Sequence, residues 1–484
     1  MKVGLLNLPY VYRGFYPPMP TMVEPLNLGY LAAALLDAGH EVEVLDLHLD
    51  CIKHFGAARH DRMLHSLLRP GGWHSRLHPP APMLKWLVSQ LSRAELSGFD
   101  VIGVNADLKA LCLYALSALK KHHPAVKTVV GGHTATGIPE TFAAHAAVDY
   151  VVSGEGERPL TELCDALARD QTGASIPGLA FRDGTHIRNN PPLPGPPPEK
   201  LGPPARDVLR MKDYLAWNGS VAMLSSRGCT MSCTFCCRAF SPGQRRMGVS
   251  GVVDEIEELV RDYGAKNLVF FDNTLNGSRA QLPALCREII ARGLDVRWTC
   301  MAILHRLDEE TAQLMSQAGC AMVSFGIESA SENMLDEINK RVDLERGKEI
   351  LERCRRHGIR TRASFIYDLP RAKLSDAVKT LRFIRDTKLS LVTFWPLDVY
   401  PTTTMFRAPG GCLGLLATDS GVAERVRTRR EELEHYAKER LYGAINAYYA
   451  YKVERIGNDI WTRHPAGVGG QRRRAASAEP HDGA

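Results

Sequence analysis

Three cysteines carry most of the chemical information in this chain: Cys229, Cys233 and Cys236, in the run Arg227-Gly-Cys-Thr-Met-Ser-Cys-Thr-Phe-Cys-Cys237. A C-x3-C-x2-C loop can wrap one corner of an iron–sulfur cube and give one thiolate to each of three irons. The fourth iron is left for a small molecule, whereas electron-carrying ferredoxins close that position with a fourth cysteine. An open metal position marks a catalytic site. Zinc is the competing reading, but structural zinc sites use two separated C-x2-C pairs or Cys/His pairs. No second pair lies nearby, and no histidine falls between Gly219 and Arg279. Cys237, beside the last of the three, should point away from it and reads as packing.

The chain that must position this loop has 484 residues, enough for two or three domains with full cores. With 45% hydrophobic and 24% charged residues it has an ordinary globular composition. The net charge of +6 comes partly from local runs such as Arg427-Thr-Arg-Arg430, which read as solvated faces rather than a nucleic-acid patch. No apolar run approaches bilayer length, so no membrane partner is expected. Twelve cysteines without an even framework suggest a reducing, cytoplasmic interior.

From residue 1 to about 185, apolar strand-length runs (Val3–Leu8, Glu41–Leu47, Val101–Val104, Thr128–Val130, Tyr150–Val152) are interspersed with helical patterns. That order predicts an open, doubly wound parallel sheet binding its ligand at the carboxyl ends of the strands. Two glycine turns mark that edge: Gly131-Gly132-His133, and Ser153-Gly-Glu-Gly-Glu157 with Gly154 and Glu155. Glycine there lets backbone N–H groups approach a polar ligand. An insertion at 51–97 holds five histidines without cysteine or acidic partners at ligand spacing, and reads as a lid or dimer contact rather than a metal site.

Residues 186–215 include Asn190-Pro-Pro-Leu-Pro-Gly-Pro-Pro-Pro198, a semi-rigid linker. A second series follows over 216–408. Val221–Ser225 runs into the cysteine loop, and strands at Asn267–Phe271, Val296–Ala302, Met322–Ile327, Ala363–Tyr367 and Leu391–Pro396 are separated by helical segments. Six strand–helix units predict a partial (βα)6 barrel with its chemistry at the carboxyl ends. Residues 409–464 read as a helical cap and 465–484 as a disordered tail.

The cysteine spacing, with the aromatic Phe235 before the last cysteine, resembles the radical S-adenosylmethionine (radical SAM) superfamily. The first 160 residues, with Glu24-Pro-Leu-Asn-Leu-Gly-Tyr30, Ala38-Gly-His-Glu-Val-Glu-Val-Leu-Asp46 and the two glycine turns, resemble the cobalamin-binding domain that precedes many such barrels. The resemblance implies a [4Fe–4S] cluster on Cys229, Cys233 and Cys236, S-adenosylmethionine on the open iron, and cobalamin at the first sheet. It also implies an external low-potential donor of flavodoxin or ferredoxin type and a small-molecule or peptide substrate. It assigns the amino group of S-adenosylmethionine to Asp272 in Phe271-Asp-Asn273-Thr274, and the ribose or methionine end to Glu328 and Ser329 in Phe325-Gly-Ile-Glu-Ser-Ala330. Asp368 falls where relatives carry glycine and is a candidate on the substrate side. The loop Asn7–Gly14 lacks the histidine with which the wider cobalamin-binding family ligates cobalt from below, so no lower histidine is expected.

The implied activity is cobalamin-dependent methylation of an unactivated carbon or phosphorus centre. A radical rearrangement, cyclisation or ring contraction stays open, as does a non-catalytic corrinoid or electron-carrier protein.

Overall fold

The computed structural model describes residues 1–9, 23–56, 81–106, 109–200, 202–237, 243–367, 369–397 and 402–407. Asp368, the middle of the 51–97 insertion, the C-terminal cap and the tail lie outside them. Among the described residues no helix is long and apolar enough to cross a membrane.

The first sheet is built from β1 (Lys2–Asn7), β2 (Glu41–Asp46), β3 (Val101–Asn105), β4 (Lys127–Gly131), β5 (Tyr150–Val152), β6 (Leu179–Asp183) and β7 (His186–Asn189). Its order is β2-β1-β3-β4-β5-β6-β7, with β1 to β5 parallel. Strands β1 and β3 are buried almost throughout, because helices cover both faces of the sheet. The order reverses between β1 and β3, which puts the ligand crevice at their carboxyl ends. β6 and β7 form an antiparallel hairpin that carries the sheet to Asn189, past the expected boundary at 185.

The second sheet has six parallel strands in chain order: β8 (Ser220–Met223), β11 (Asn267–Phe270), β12 (Arg297–Ala302), β13 (Cys320–Glu328), β14 (Arg360–Tyr367) and β15 (Leu391–Pro396). β8 and β15 are its edges, so the barrel is partial, as its six strand–helix units predict. Phe270 packs edge-on against Trp298 at 5.6 Å, and Phe365 stacks on Phe394 at 5.4 Å. Each side chain buried to this degree contributes roughly 1.5–3 kcal/mol. Asp308 and Asp343 cap the helices Glu309–Gln317 and Leu344–Arg356 by accepting from Thr311 N at 2.8 Å and Arg346 N at 2.9 Å.

A small hairpin interrupts the pattern directly after β8. β9 (Ser226–Cys229) pairs antiparallel with β10 (Gly243–Arg246), and the two strands bracket the cysteine loop.

The two domains are joined by buried charge. Arg206, in the segment between them, donates to Glu24 at 2.5 Å, to Glu255 at 2.6 Å and to the Ala222 carbonyl at 2.8 Å. Tyr214, in the same connecting segment, donates to Asp46 of the first domain at 2.6 Å.

Candidate active site

Asp272 explains why the cysteine loop starts where it does. It sits at the end of β11, fully buried, and accepts from Ser225 N at 3.0 Å, Ser225 Oγ at 2.8 Å and Ser226 Oγ. Burial pushes its carboxyl above the usual carboxylate range, against these bonds. Three donors from the β8–β9 turn converge on the carboxylate expected to receive an ammonium group. Its oxygens are occupied in holding the β8–β9 turn, while its neighbour Asn273 is exposed at the same strand end.

Cys229 closes β9, and its sulfur accepts from Met231 N at 3.4 Å and Thr274 Oγ1 at 3.7 Å. Donors aimed at a sulfur tune the potential of a cluster bound there. Cys233 is buried, and burial raises its thiol pKa. The Cys236 thiol is pushed up to about 12 by the protein packed around it, then by the charges of Cys233 and Cys229, although the residue also reaches the surface. The three sulfurs therefore sense one another. Among the described residues, no group of three or more His, Cys, Asp or Glu side chains converges on a single-ion position. A cube that places each thiolate on a different iron spreads its ligands more widely than one ion does. The donor set fits such a cluster.

The loop is braced by residues the sequence did not single out. Asn339, at φ +50°, donates to Ser232 O and Ser232 Oγ at 3.0 Å each, and Thr234 N donates to Ile338 O at 3.0 Å. Arg306 reaches Thr230 Oγ1 at 3.0 Å. Thr404 Oγ1 and Met405 N both donate to Thr234 O. Lys340 lies 2.6 Å from Glu328 Oε1 and 5.9 Å from the centre of the Phe235 ring. Burial alone would lower the Lys340 pKa, but the charges of Glu328, Cys233 and Cys236 outweigh it and carry the pKa up. The only available signal for these contacts was an Asn, tolerant of the left-handed region, directly before a Lys.

Glu328 itself is held at φ +67°, at an irregularity in the β13–β14 register. A non-glycine residue there stores strain of the kind found at functional sites. Gly326 leaves room for the pair, since a Cβ would approach Lys340 Nζ to 3.0 Å. Ser329 takes a different position, lining a cleft with Met334, Ile366, Lys373 and Asp376. Phe235 packs against Met334, Leu335 and Ile338.

In the first domain, Gly132 adopts φ +101°, and a Cβ there would run into Asn105 Oδ1. Gly131 ends β4. The Gly154 N–H is used within the protein, donating to Thr136 Oγ1 at 3.0 Å. Glu155 is likewise committed: it pairs with Arg227 at 3.2 Å and with Arg245, both on the cluster hairpin. Burial raises the Glu155 pKa, opposed by both arginines. His133 is held neutral, its pKa lowered to about 4 by burial. Its Nδ1 lies 3.2 Å from Cys237 Sγ, which also sits 2.8 Å from Thr402 Oγ1. Cys237 thus makes polar contacts across the domain boundary instead of only packing. The carboxyl edges of the two sheets face each other across these contacts.

A family model described as the radical SAM superfamily matches residues 223–384. An uncharacterized methyltransferase of Pyrococcus horikoshii is 30% identical over 314 residues, covering 63% of this chain and 68% of that protein. The anaerobic magnesium-protoporphyrin IX monomethyl ester cyclase of Cereibacter sphaeroides is 30% identical over 297 residues, 59% of this chain; the chain spans 48% of the cyclase's length. The solved radical S-adenosylmethionine methyltransferase TsrM of Kitasatospora setae, with tryptophan and a SAM analogue bound, superposes with a TM-score of 0.65 at 21% identity. That match covers 84% of this chain and 74% of TsrM. TsrM has also been solved with cobalamin and a [4Fe–4S] cluster bound.

Proposed function

Because the chain belongs to the radical SAM superfamily, we propose that it is a cobalamin-dependent radical SAM methyltransferase acting on an unactivated carbon or phosphorus centre of a small molecule or peptide. The observation that carries this reading is the facing of the two carboxyl edges. The cysteine loop at the mouth of the barrel touches the loops after β4 and β5 of a doubly wound domain whose order marks a ligand crevice.

When bound, the cluster and S-adenosylmethionine supply a carbon-centred radical and cobalamin supplies the methyl group; such chemistry belongs to the cofactors. The protein's part is placement. Cys229, Cys233 and Cys236 would hold three irons of the cluster, and the exposed Asn273 stands beside the Thr274 that donates to Cys229. Glu328, paired with Lys340 beside the cysteine loop, would meet the ribose or methionine end of S-adenosylmethionine.

The test needs no substrate. Reconstituted, reduced protein is incubated with methyl-labelled S-adenosylmethionine and hydroxocobalamin. Deoxyadenosine release together with label in the corrinoid fraction supports the reading. Deoxyadenosine without corrinoid label favours a radical reaction without methyl transfer, the reading that similarity to the cyclase also supports. Neither product contradicts both.

A further inference from the structure

The hairpin that carries the cysteine loop sets two like charges against each other. Arg227 on β9 stands directly opposite Arg245 on β10. Like charges directly opposite on paired strands are destabilising. Both guanidiniums are largely buried, at 12% and 20% exposure, so water screens them little. The compensating charges come from the first domain. Glu155 pairs with both arginines, and Glu157 pairs with Arg227 at 2.7 Å. The Arg227 guanidinium also lies 4.7 Å from the centre of the Tyr30 ring, again in the first domain.

The far end of the cysteine loop is held from the same side. Cys237, the last residue described before Gly243, meets His133 at 3.2 Å. His133 follows β4, and Glu155 and Glu157 follow β5. Thr136 stitches these two loops together, donating to Gly132 O at 2.9 Å and accepting from Gly154 N at 3.0 Å. The loops at the ligand edge of the first sheet are therefore also the loops that neutralise and grip the cluster hairpin.

We propose that this two-point clamp couples the two cofactor sites, so that a corrinoid at the first sheet and a cluster on Cys229, Cys233 and Cys236 each strengthen the binding of the other. The inference rests on the corrinoid reading above. Whichever group binds first orders the shared loops, and the second then binds to loops already in place. Linkage makes the effect reciprocal, and couplings of this kind typically span about 5- to 150-fold in affinity.

The experiment titrates hydroxocobalamin, by absorbance and without oxygen, into the full chain with and without its cluster. The wild-type chain is expected to bind it at least about 5-fold more tightly when the cluster is present. Glu157→Gln removes one carboxylate from Arg227 while keeping its shape, and His133→Ala releases the other end of the loop. Each variant is expected to take up its irons and still bind hydroxocobalamin, with the ratio between the two forms reduced toward one. Two variants at opposite ends guard against loss of fold in either. A ratio unchanged in both variants, or a wild-type ratio of one with normal corrinoid uptake, overturns the inference alone. A chain that takes up iron but no corrinoid overturns the inference and the reading beneath it together.

Discussion

Asp272 illustrates how far a residue's type can be read apart from its surroundings. An acid at the end of the second barrel strand suggested a partner for an ammonium group, but the fold turns it onto Ser225 and Ser226. Removing it leaves those buried donors without an acceptor, at a cost of roughly 1–3 kcal/mol per orphaned group. Asp272→Ala should therefore lower the thermal midpoint and the iron content together. A variant with wild-type iron and stability but weakened S-adenosylmethionine binding would instead put Asp272 on the ammonium group. Lys340 was invisible in the sequence because nothing in its spacing tied it to cysteines more than a hundred positions away. Its cation favours the more negative, reduced cluster, so Lys340→Gln should move the midpoint potential downward. The shift should be on the order of 59 mV, a tenfold change for one electron, read by redox titration of the electron paramagnetic resonance signal. An unchanged potential would remove Lys340 from the electrostatics of the site.

At the scale of elements, most of both sheets was legible. Parallel strands buried on two faces leave long apolar runs, and β1, β3, β5, β12 and β15 fall close to where those runs predict. The β6–β7 hairpin lies beyond the strands the apolar pattern predicts, although Asp183-Gly184 is a turn signal with Gly184 at φ +61°. β7 is short and mostly exposed, so it has no buried face to write a period into the sequence. Charge pairing between elements was not legible either, since Glu24 and Arg206 lie 182 positions apart. Glu24 leads to a pH prediction. Burial raises its pKa to about 7 against the pull of Arg206. A carboxyl whose folded pKa exceeds its unfolded value takes up a proton on folding between the two. Its stabilising effect is fully present below about pH 4.5 and is lost as pH rises toward 7. Denaturant unfolding of Glu24→Gln should show a flatter pH profile than wild type across that window. Identical slopes would mean that Glu24 stays ionised beside Arg206.

For the whole molecule, the sequence supplied two domains and a cysteine loop, but not their mutual orientation. That came from side chains committed across the boundary: Arg206 with Glu24, Tyr214 with Asp46, Arg227 and Arg245 with Glu155, and Cys237 with His133. A glycine-flanked turn at a ligand edge marks Glu155, in the sequence, as a cofactor residue. The turn is at that edge, yet its carboxylate faces the other domain's arginines. The central claim is that one chain holds two cofactors on facing edges. The most direct measurement is iron and cobalamin per chain after anaerobic reconstitution with hydroxocobalamin, for the wild type and for Cys233→Ala. The account predicts about four irons and one cobalamin in the wild type. It predicts loss of most iron in the variant, with cobalamin still bound, though more weakly. Four irons with no cobalamin would contradict the two-cofactor account and leave the first domain without the role given to it here.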